Sequence, residues 1–160
     1  MLISVVVSII IYCSPVKRKL TKISFLSLSF LSFYLSFVST ITVISRNKSN
    51  SSQYNLSVFW TYIAIAGGRT GLVLEIIWNI ILFIPIGILL MLVITHKDKG
   101  VIAILLGLLL SVSIEVIQLL SYRGLFEFDD IIHNTLGTAI GVGILYFVSS
   151  IINLLKHNSK

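Results

Sequence analysis

The stretch LVLEIIWNIILFIPIGILLMLVI, Leu72–Ile94, decides the fold because Glu75 is its single charged residue. A helix needs about 20 apolar residues to cross the hydrocarbon core of a bilayer, and this stretch has that length. Three further runs are similarly long and apolar, namely Ile23–Ile44, Val101–Leu120 and Ile131–Leu155. Charged residues make up 11% of the chain, against about 25% in soluble domains. The sequence therefore predicts an integral membrane protein with four long spans.

Two shorter apolar segments complete the predicted architecture. Met1–Ser14 ends at Pro15 and reaches only about 20 Å as a helix, so it is interpreted as a short fifth helix, and its crossing of the membrane stays open. Val58–Gly68 is too short to span, and its aromatic residues favour an interfacial or re-entrant segment at about 58–68. The predicted fold is an all-α polytopic transmembrane helix bundle, with residues 1–160 forming a single membrane domain.

The basic residues orient this bundle. A formal net charge of +6 is compatible with nucleic-acid binding, but eight of the twelve basic residues lie in segments on one side of the predicted spans. These are Lys17, Arg18, Lys19, Lys22, Lys97, Lys99, Lys156 and Lys160. Positive residues mark the cytoplasmic side of membrane proteins. We therefore expect a multi-pass protein of the cytoplasmic membrane with a cytoplasmic C-terminus, a lipid bilayer as its surroundings and no nucleic-acid partner.

Five of the six acidic residues fall at the opposite, outer end: Glu75, Glu115, Glu127, Asp129 and Asp130. Glu115 is the most informative, because an acid in the middle of a spanning helix costs at least ~2.5 kcal/mol. It belongs to a stripe at helical spacing, made of Ser111, Glu115, Gln118 and Tyr122. Polar faces in lipid turn towards the interior of a bundle. The stripe therefore predicts a polar site inside the outer half of the bundle.

Two more faces meet this stripe. Glu75 and Asn79 share a face of the second long span and are expected to face Val101–Leu120. The last span carries a third face, made of Asp130, Asn134, Gly137 and Gly141 with His133 beside it. The predicted polar cluster is Glu75, Asn79, Glu115, Gln118, Arg123, Asp129, Asp130 and Asn134. Within it, Arg123 is expected to offset the carboxylates.

Simpler interpretations apply to several of these residues one at a time. Asp129 or Asp130 alone is typical of a helix cap. Gly137 and Gly141 form the G-x-x-x-G pattern of closely packed membrane helices. Pro85, with Gly87 two residues later, is expected to bend the second long span.

The reactive side chains leave the chemistry open. Glu115, Asp130 and His133 are candidate acid–base catalysts, whereas Asp129, Asp130 and His133 are weak candidates for metal ligands. Ser111, His133 and an aspartate could form a triad, but no spacing selects it. No nucleotide motif or covalent-cofactor signature is present in the sequence, so we expect no cofactor.

Two stretches of the sequence form a specific combination in this order. The first is N79-I-I-L-F-I-P-I-G87. The second is E115-V-I-Q118 followed by R123-G-L-F-E-F-D-D-I-I-H-N134-T-L-G137 and Gly141. Together they resemble the signatures of VanZ-like membrane proteins. Asn55–Trp60 is similar to the outer segment that precedes them, so the VanZ-like core covers about residues 55–143. The resemblance implies a bacterial cell-envelope protein, because the family's named member confers low-level resistance to the glycopeptide teicoplanin. It implies no particular reaction.

Three functions follow as alternatives. The first is an envelope protein whose outward-facing polar site binds a lipid-linked cell-wall precursor or a glycopeptide and so contributes to teicoplanin resistance. The second is a membrane-embedded enzyme, metal-assisted or not, that acts on a lipid-linked or cell-wall substrate. The third is a small transporter. Whether the protein is an enzyme, and how many copies associate, are left open by the sequence.

The predicted orientation can be tested by thiol labelling of whole cells. In a Cys13-free background, a cysteine introduced at Ser51 should react with an impermeant thiol reagent, because this position lies in the outer loop. A cysteine introduced at Lys97 should react only after the membrane is permeabilised. The opposite labelling pattern would invert the topology and contradict the outward position of the acidic site.

Overall fold

The computed structural model describes residues 22–48, 50 and 53–158. The predicted helix Met1–Ser14 and the labelling position Ser51 lie outside these residues. The described elements, in chain order, are helix α1 (Lys22–Ser39), a π-helical turn (Thr40–Ile44), strand β1 (Gln53–Asn55), helix α2 (Trp60–Ala66), helix α3 (Leu72–Val93), helix α4 (Lys99–Ser121), strand β2 (Leu125–Glu127) and helix α5 (Phe128–Asn158).

Four helical segments are long and apolar enough to cross a membrane: Leu26–Ile44, Leu72–Val93, Lys99–Ser121 and Phe128–Asn158. They confirm the predicted all-α bundle with four long spans. Large apolar side chains remain exposed along them, as lipid-facing helices require. The segment predicted to be interfacial or re-entrant contains the short helix α2, which is too short to span.

The spans pack around α3. Its most extensive contacts are with α5, and α1 covers another side of it, whereas α4 contacts α5 more than it contacts α3. The expectation that Glu75 and Asn79 face the span Val101–Leu120 is therefore corrected, because the face of α3 that carries Asn79 meets α5. Buried side chains that include Leu35, Phe83 and Ile86 form the apolar core between the spans.

Small residues explain why α3 and α5 pack so closely. A Cβ atom added at Gly137 would collide with the carbonyl oxygen of Ile80, and one added at Gly141 would collide with that of Ile84. From the other side, a Cβ atom at Gly87 would collide with the carbonyl oxygen of Thr138. The two backbones therefore touch directly, which is the geometry that G-x-x-x-G patterns permit.

Helix α3 continues through Pro85 as one helix from Leu72 to Val93. Proline lacks an N–H and its ring crowds the preceding turn, so this position weakens the helical hydrogen bonding. The hydroxyl of Tyr34 on α1 donates to the carbonyl oxygen of Leu82 in that turn, at 3.0 Å. The weakened turn is therefore supported by a neighbouring span.

The connections at one end of the bundle contain a small β-sheet, which the sequence pattern does not predict. β1 and β2 pair in parallel, with Gln53 opposite Leu125 and Asn55 opposite Glu127. The pairing ties the segment after α1 to the connection between α4 and α5. It gathers the loop residues around the polar ends of α4 and α5.

The glycine contact predicts a matched pair of variants. Gly137→Ala should lower the unfolding free energy by about 1–3 kcal/mol, because the new methyl group pushes α3 and α5 apart. Gly143→Ala is the control, because a Cβ atom there meets nothing within 4 Å. It should not lower the unfolding free energy and should raise it by up to about 1 kcal/mol, because alanine is the better helix former. Denaturation of the reconstituted protein measures both, and equal effects would contradict the close contact.

Candidate functional site

Glu115 occupies the centre of the polar end. It lies in α4, its side chain is only 1% exposed, and its Oε2 accepts a hydrogen bond from the backbone N–H of Glu127 at 2.9 Å. A buried carboxylate is costly unless it receives hydrogen bonds, so this contact explains how the span tolerates Glu115. The same contact draws β2 back onto the end of α4. Glu115 is therefore held in one position by the fold and helps to hold β2 in place.

Glu127 lies outside the spans and is itself buried. Burial, followed by the repulsion of Asp130 and Glu75, raises the pKa of Glu127 to about 7, while Arg46 acts in the opposite direction. The side chain of Asn79 lies within hydrogen-bonding reach of the Asp130 carboxylate, which brings α3 into the same site. The structure thus brings acids from four separate elements, α3, α4, β2 and α5, into one cluster.

The basic charge beside these acids comes from Arg46, which is not part of the predicted polar cluster. The charge of Arg46 acts on Glu115, Glu127 and Asp130. Arg123, the expected partner, donates from Nη1 to the carbonyl oxygens of Ile44 at 2.6 Å and Arg46 at 3.3 Å. The expected role of Arg123 is therefore corrected: it binds the last carbonyl of the π-helical turn and the carbonyl of Arg46, and so holds the segment that carries Arg46.

Seven residues form the candidate site, and we call them the carboxylate group after the four acids among them. They are Glu75, Arg46, Asn79, Glu115, Gln118, Glu127 and Asp130. Gln118 is 1% exposed, and its Nε2 donates to the carbonyl oxygen of Thr42 in the π-helical turn at 2.8 Å. Its Oε1 is buried and has no hydrogen-bond partner among the described residues. π-helical turns displace backbone carbonyls from the regular pattern and occur often at functional sites. The turn therefore fixes the orientation of the Gln118 amide.

A hydrogen bond between Asn134 and Ser111 joins α5 to α4. The Nδ2 of Asn134 donates to Oγ of Ser111 at 2.9 Å, and both side chains are buried. The Oδ1 of Asn134 has no hydrogen-bond partner within the described part of the chain. The polar stripe of α4 thus continues onto α5, as the helical spacing predicted.

Asp129 has a different role from its neighbours. It is fully buried, and its two carboxylate oxygens accept the backbone N–H groups of Phe59 at 2.6 Å and Thr61 at 2.9 Å. Asp129 therefore caps the N-terminus of α2, a helix that lies far away in the sequence. Phe59 adopts a left-handed conformation with φ 63°, which is uncommon for a bulky residue and is held here by the carboxylate. Both oxygens of Asp129 are thus engaged in positioning α2.

His133 lies beside this cap. Its Nε2 is 2.9 Å from the hydroxyl of Tyr62 on α2, and its buried Nδ1 has no hydrogen-bond partner among residues 22–48, 50 and 53–158. Ser111 bonds to Asn134 and not to His133, so the triad considered from the sequence does not form. In the described part of the chain, no three His, Cys, Asp or Glu side chains converge in a way that could hold a metal ion.

The fold and the site define a class of protein. Four apolar spans with buried polar side chains gathered at one end make this chain a multi-pass membrane protein. The family model described as VanZ/LLP1 matches residues 23–150, so the chain belongs to that family. The match includes every residue of the carboxylate group. No curated protein and no solved structure shows a significant match to the chain.

The environment of Glu127 predicts a pH dependence of stability. Its folded-state pKa of about 7 exceeds its ordinary value of 4.5, so the folded protein holds this proton more tightly than the unfolded chain. The resulting stabilisation is complete below pH 4.5 and is lost as the pH rises through 7. Between pH 6 and pH 8, wild type should therefore lose more stability than Glu127→Gln. Thermal unfolding in nanodiscs measures this difference, and parallel pH profiles would contradict it.

Proposed function

We propose that this VanZ/LLP1 protein lies in the bacterial cytoplasmic membrane with its C-terminus in the cytoplasm. The carboxylate group then faces outward and binds a ligand of the cell envelope, a lipid-linked cell-wall precursor or a glycopeptide. Binding of this ligand contributes to glycopeptide resistance of the teicoplanin type. The positive residues at the other end of the bundle support the orientation, and membership of the family supports the envelope role.

One observation carries the ligand-binding part of this proposal. The carboxylate group contains one buried polar atom without a partner in the described residues, Oε1 of Gln118. An unpaired buried polar group costs roughly 1–3 kcal/mol, so a site that retains one is expected to use it. Ionisable residues within spans also mark ligand or ion pathways by default. A purely structural ion pair explains neither the open amide oxygen nor the number of acids.

The enzyme alternative rests on His133. Its Nδ1 is buried and has no hydrogen-bond partner among the described residues, so the imidazole could accept a proton there from a bound substrate. If the protein is an enzyme, His133→Gln should abolish turnover of an envelope lipid without releasing α2, as judged by unchanged protease cleavage at residues 56–68. The transporter alternative has no comparable support and is tested by flux in proteoliposomes.

The proposed function predicts the effect of Glu115→Gln. The amide oxygen of glutamine can still accept the N–H of Glu127, so the fold should persist while the charge is lost. In a deletion strain, this variant should therefore reach normal membrane abundance yet fail to restore teicoplanin tolerance or the wild-type envelope-lipid profile.

The matched control is Asp98→Asn, because Asp98 lies at the opposite end of the bundle and, within the described part of the chain, its carboxylate forms an ion pair with the exposed His96 alone. It removes one carboxylate in the same way and should complement fully. A Glu115→Gln protein that is present at normal abundance and restores the wild-type phenotype would refute the carboxylate group as the functional site. Vancomycin, tested in parallel, measures how selective the effect is among glycopeptides.

A further inference from the structure

The hydrogen-bonding capacity of the carboxylate group is strongly one-sided. Ionised carboxylates of Glu115, Glu127 and Asp130 only accept hydrogen bonds. The amide of Gln118 adds another acceptor, because its Nε2 is already bonded to the Thr42 carbonyl and its buried Oε1 is left open within the described structure. The opposite amide orientation would place two oxygens against each other. The site therefore presents acceptors to whatever enters it.

The charge balance points in the same direction. Glu75, Glu115, Glu127 and Asp130 contribute four carboxylates, while Arg46 is the base whose charge acts on three of them. Glu127 is repelled by both Asp130 and Glu75. A cation that enters the cluster would relieve this repulsion, whereas a phosphate or another anion would increase it.

From these observations we infer that the carboxylate group binds a primary ammonium group. The inference rests on the proposed function and names the chemistry of its ligand. A primary ammonium has three N–H donors, no acceptor and a compact charge, so its chemistry matches a site whose open hydrogen-bonding atoms are acceptors. A quaternary ammonium has the charge without the donors, and it should bind poorly.

The depth of the site suits a group at the membrane surface. Glu115 lies six residues before the end of α4, which corresponds to about 9 Å along the helix, and Gln118 lies one turn closer to that end. An ammonium group on a lipid headgroup can reach this level from the bilayer, and one on a small soluble amine or a peptide can reach it from the aqueous side. Both sources share the same chemistry at the site.

The binding test uses the full chain in phosphatidylcholine nanodiscs with radiolabelled ethanolamine as the probe. Ethanolamine should bind saturably, while equal concentrations of choline and ethylene glycol should compete at least about tenfold more weakly. A parallel set of nanodiscs contains phosphatidylethanolamine, and native mass spectrometry counts the retained lipid. Saturable ethanolamine binding assigns the site to soluble or peptide amines. Retention of phosphatidylethanolamine alone assigns it to a lipid headgroup.

Variants test whether the ammonium probe binds at the carboxylate group. Glu127→Gln removes a charge but keeps the backbone N–H that Glu115 accepts, so the variant should fold and bind the ammonium probe about tenfold more weakly. Glu75→Gln is a second variant. Because Glu75 is exposed, this substitution is less disruptive to the fold, and it should also weaken binding of the ammonium probe. Asp98→Asn should bind like wild type. Wild-type binding should strengthen from pH 6 to pH 8, because Glu127, whose pKa is about 7, loses its proton over this range and the site gains a negative charge.

Two results would overturn the inference. One is the absence of saturable binding of both ethanolamine and phosphatidylethanolamine by wild type. The other is displacement of ethanolamine by equal concentrations of choline or Mg²⁺, because the site would then respond to charge alone. Either result leaves the proposed function intact if Glu115→Gln still abolishes glycopeptide tolerance at normal abundance. If Glu115→Gln complements fully, the proposed function fails, whatever the amine measurements show.

Discussion

The structure depends on a single requirement, which is that the carboxylate of Glu115 must be satisfied inside a membrane-spanning helix. The hydrogen bond from the Glu127 backbone meets this requirement and folds the connection after α4 back onto its own helix. Glu127 then pairs with Asn55 in the parallel sheet. Since α5 begins directly after β2, the same bond also fixes where Asp129 stands and hence where α2 is capped. One buried acid thus links the connection between α4 and α5 to β1 and to the start of α2.

A second constraint is the direct contact between α3 and α5, which brings further polar residues to the end of the bundle where Glu115 lies. Gly137 and Gly141 allow the backbone of α5 to touch α3, and Asp130 at the start of α5 then comes within reach of Asn79. Larger residues would separate the helices and move these acids apart. Close packing in the apolar part of the bundle and acid clustering at its end are therefore two consequences of the same helix crossing.

The sequence predicts those parts of the molecule that depend on local periodicity. Apolar length predicts the four spans, and spacing at three and four residues predicts the stripe that joins Ser111, Glu115 and Gln118. Contacts between distant segments could not be predicted in this way. Three-residue strands carry too little pattern to be recognised, and nothing in the sequence marks the π-helical turn or the cap that Asp129 provides for α2. Arg123 is the basic residue nearest in sequence to Glu115, so the sequence predicts it as the partner of the acids, whereas the fold brings the more distant Arg46 beside them.

The most direct test of this account is the hydrogen exchange of a single amide, the backbone N–H of Glu127. We predict strong protection in the wild-type protein in nanodiscs, comparable protection in Asp98→Asn, and a large loss of protection in Glu115→Ala, which removes the acceptor. Exchange of this amide in wild type at the rate of an exposed loop, or protection that survives in Glu115→Ala, would contradict the claim that Glu115 organises the site.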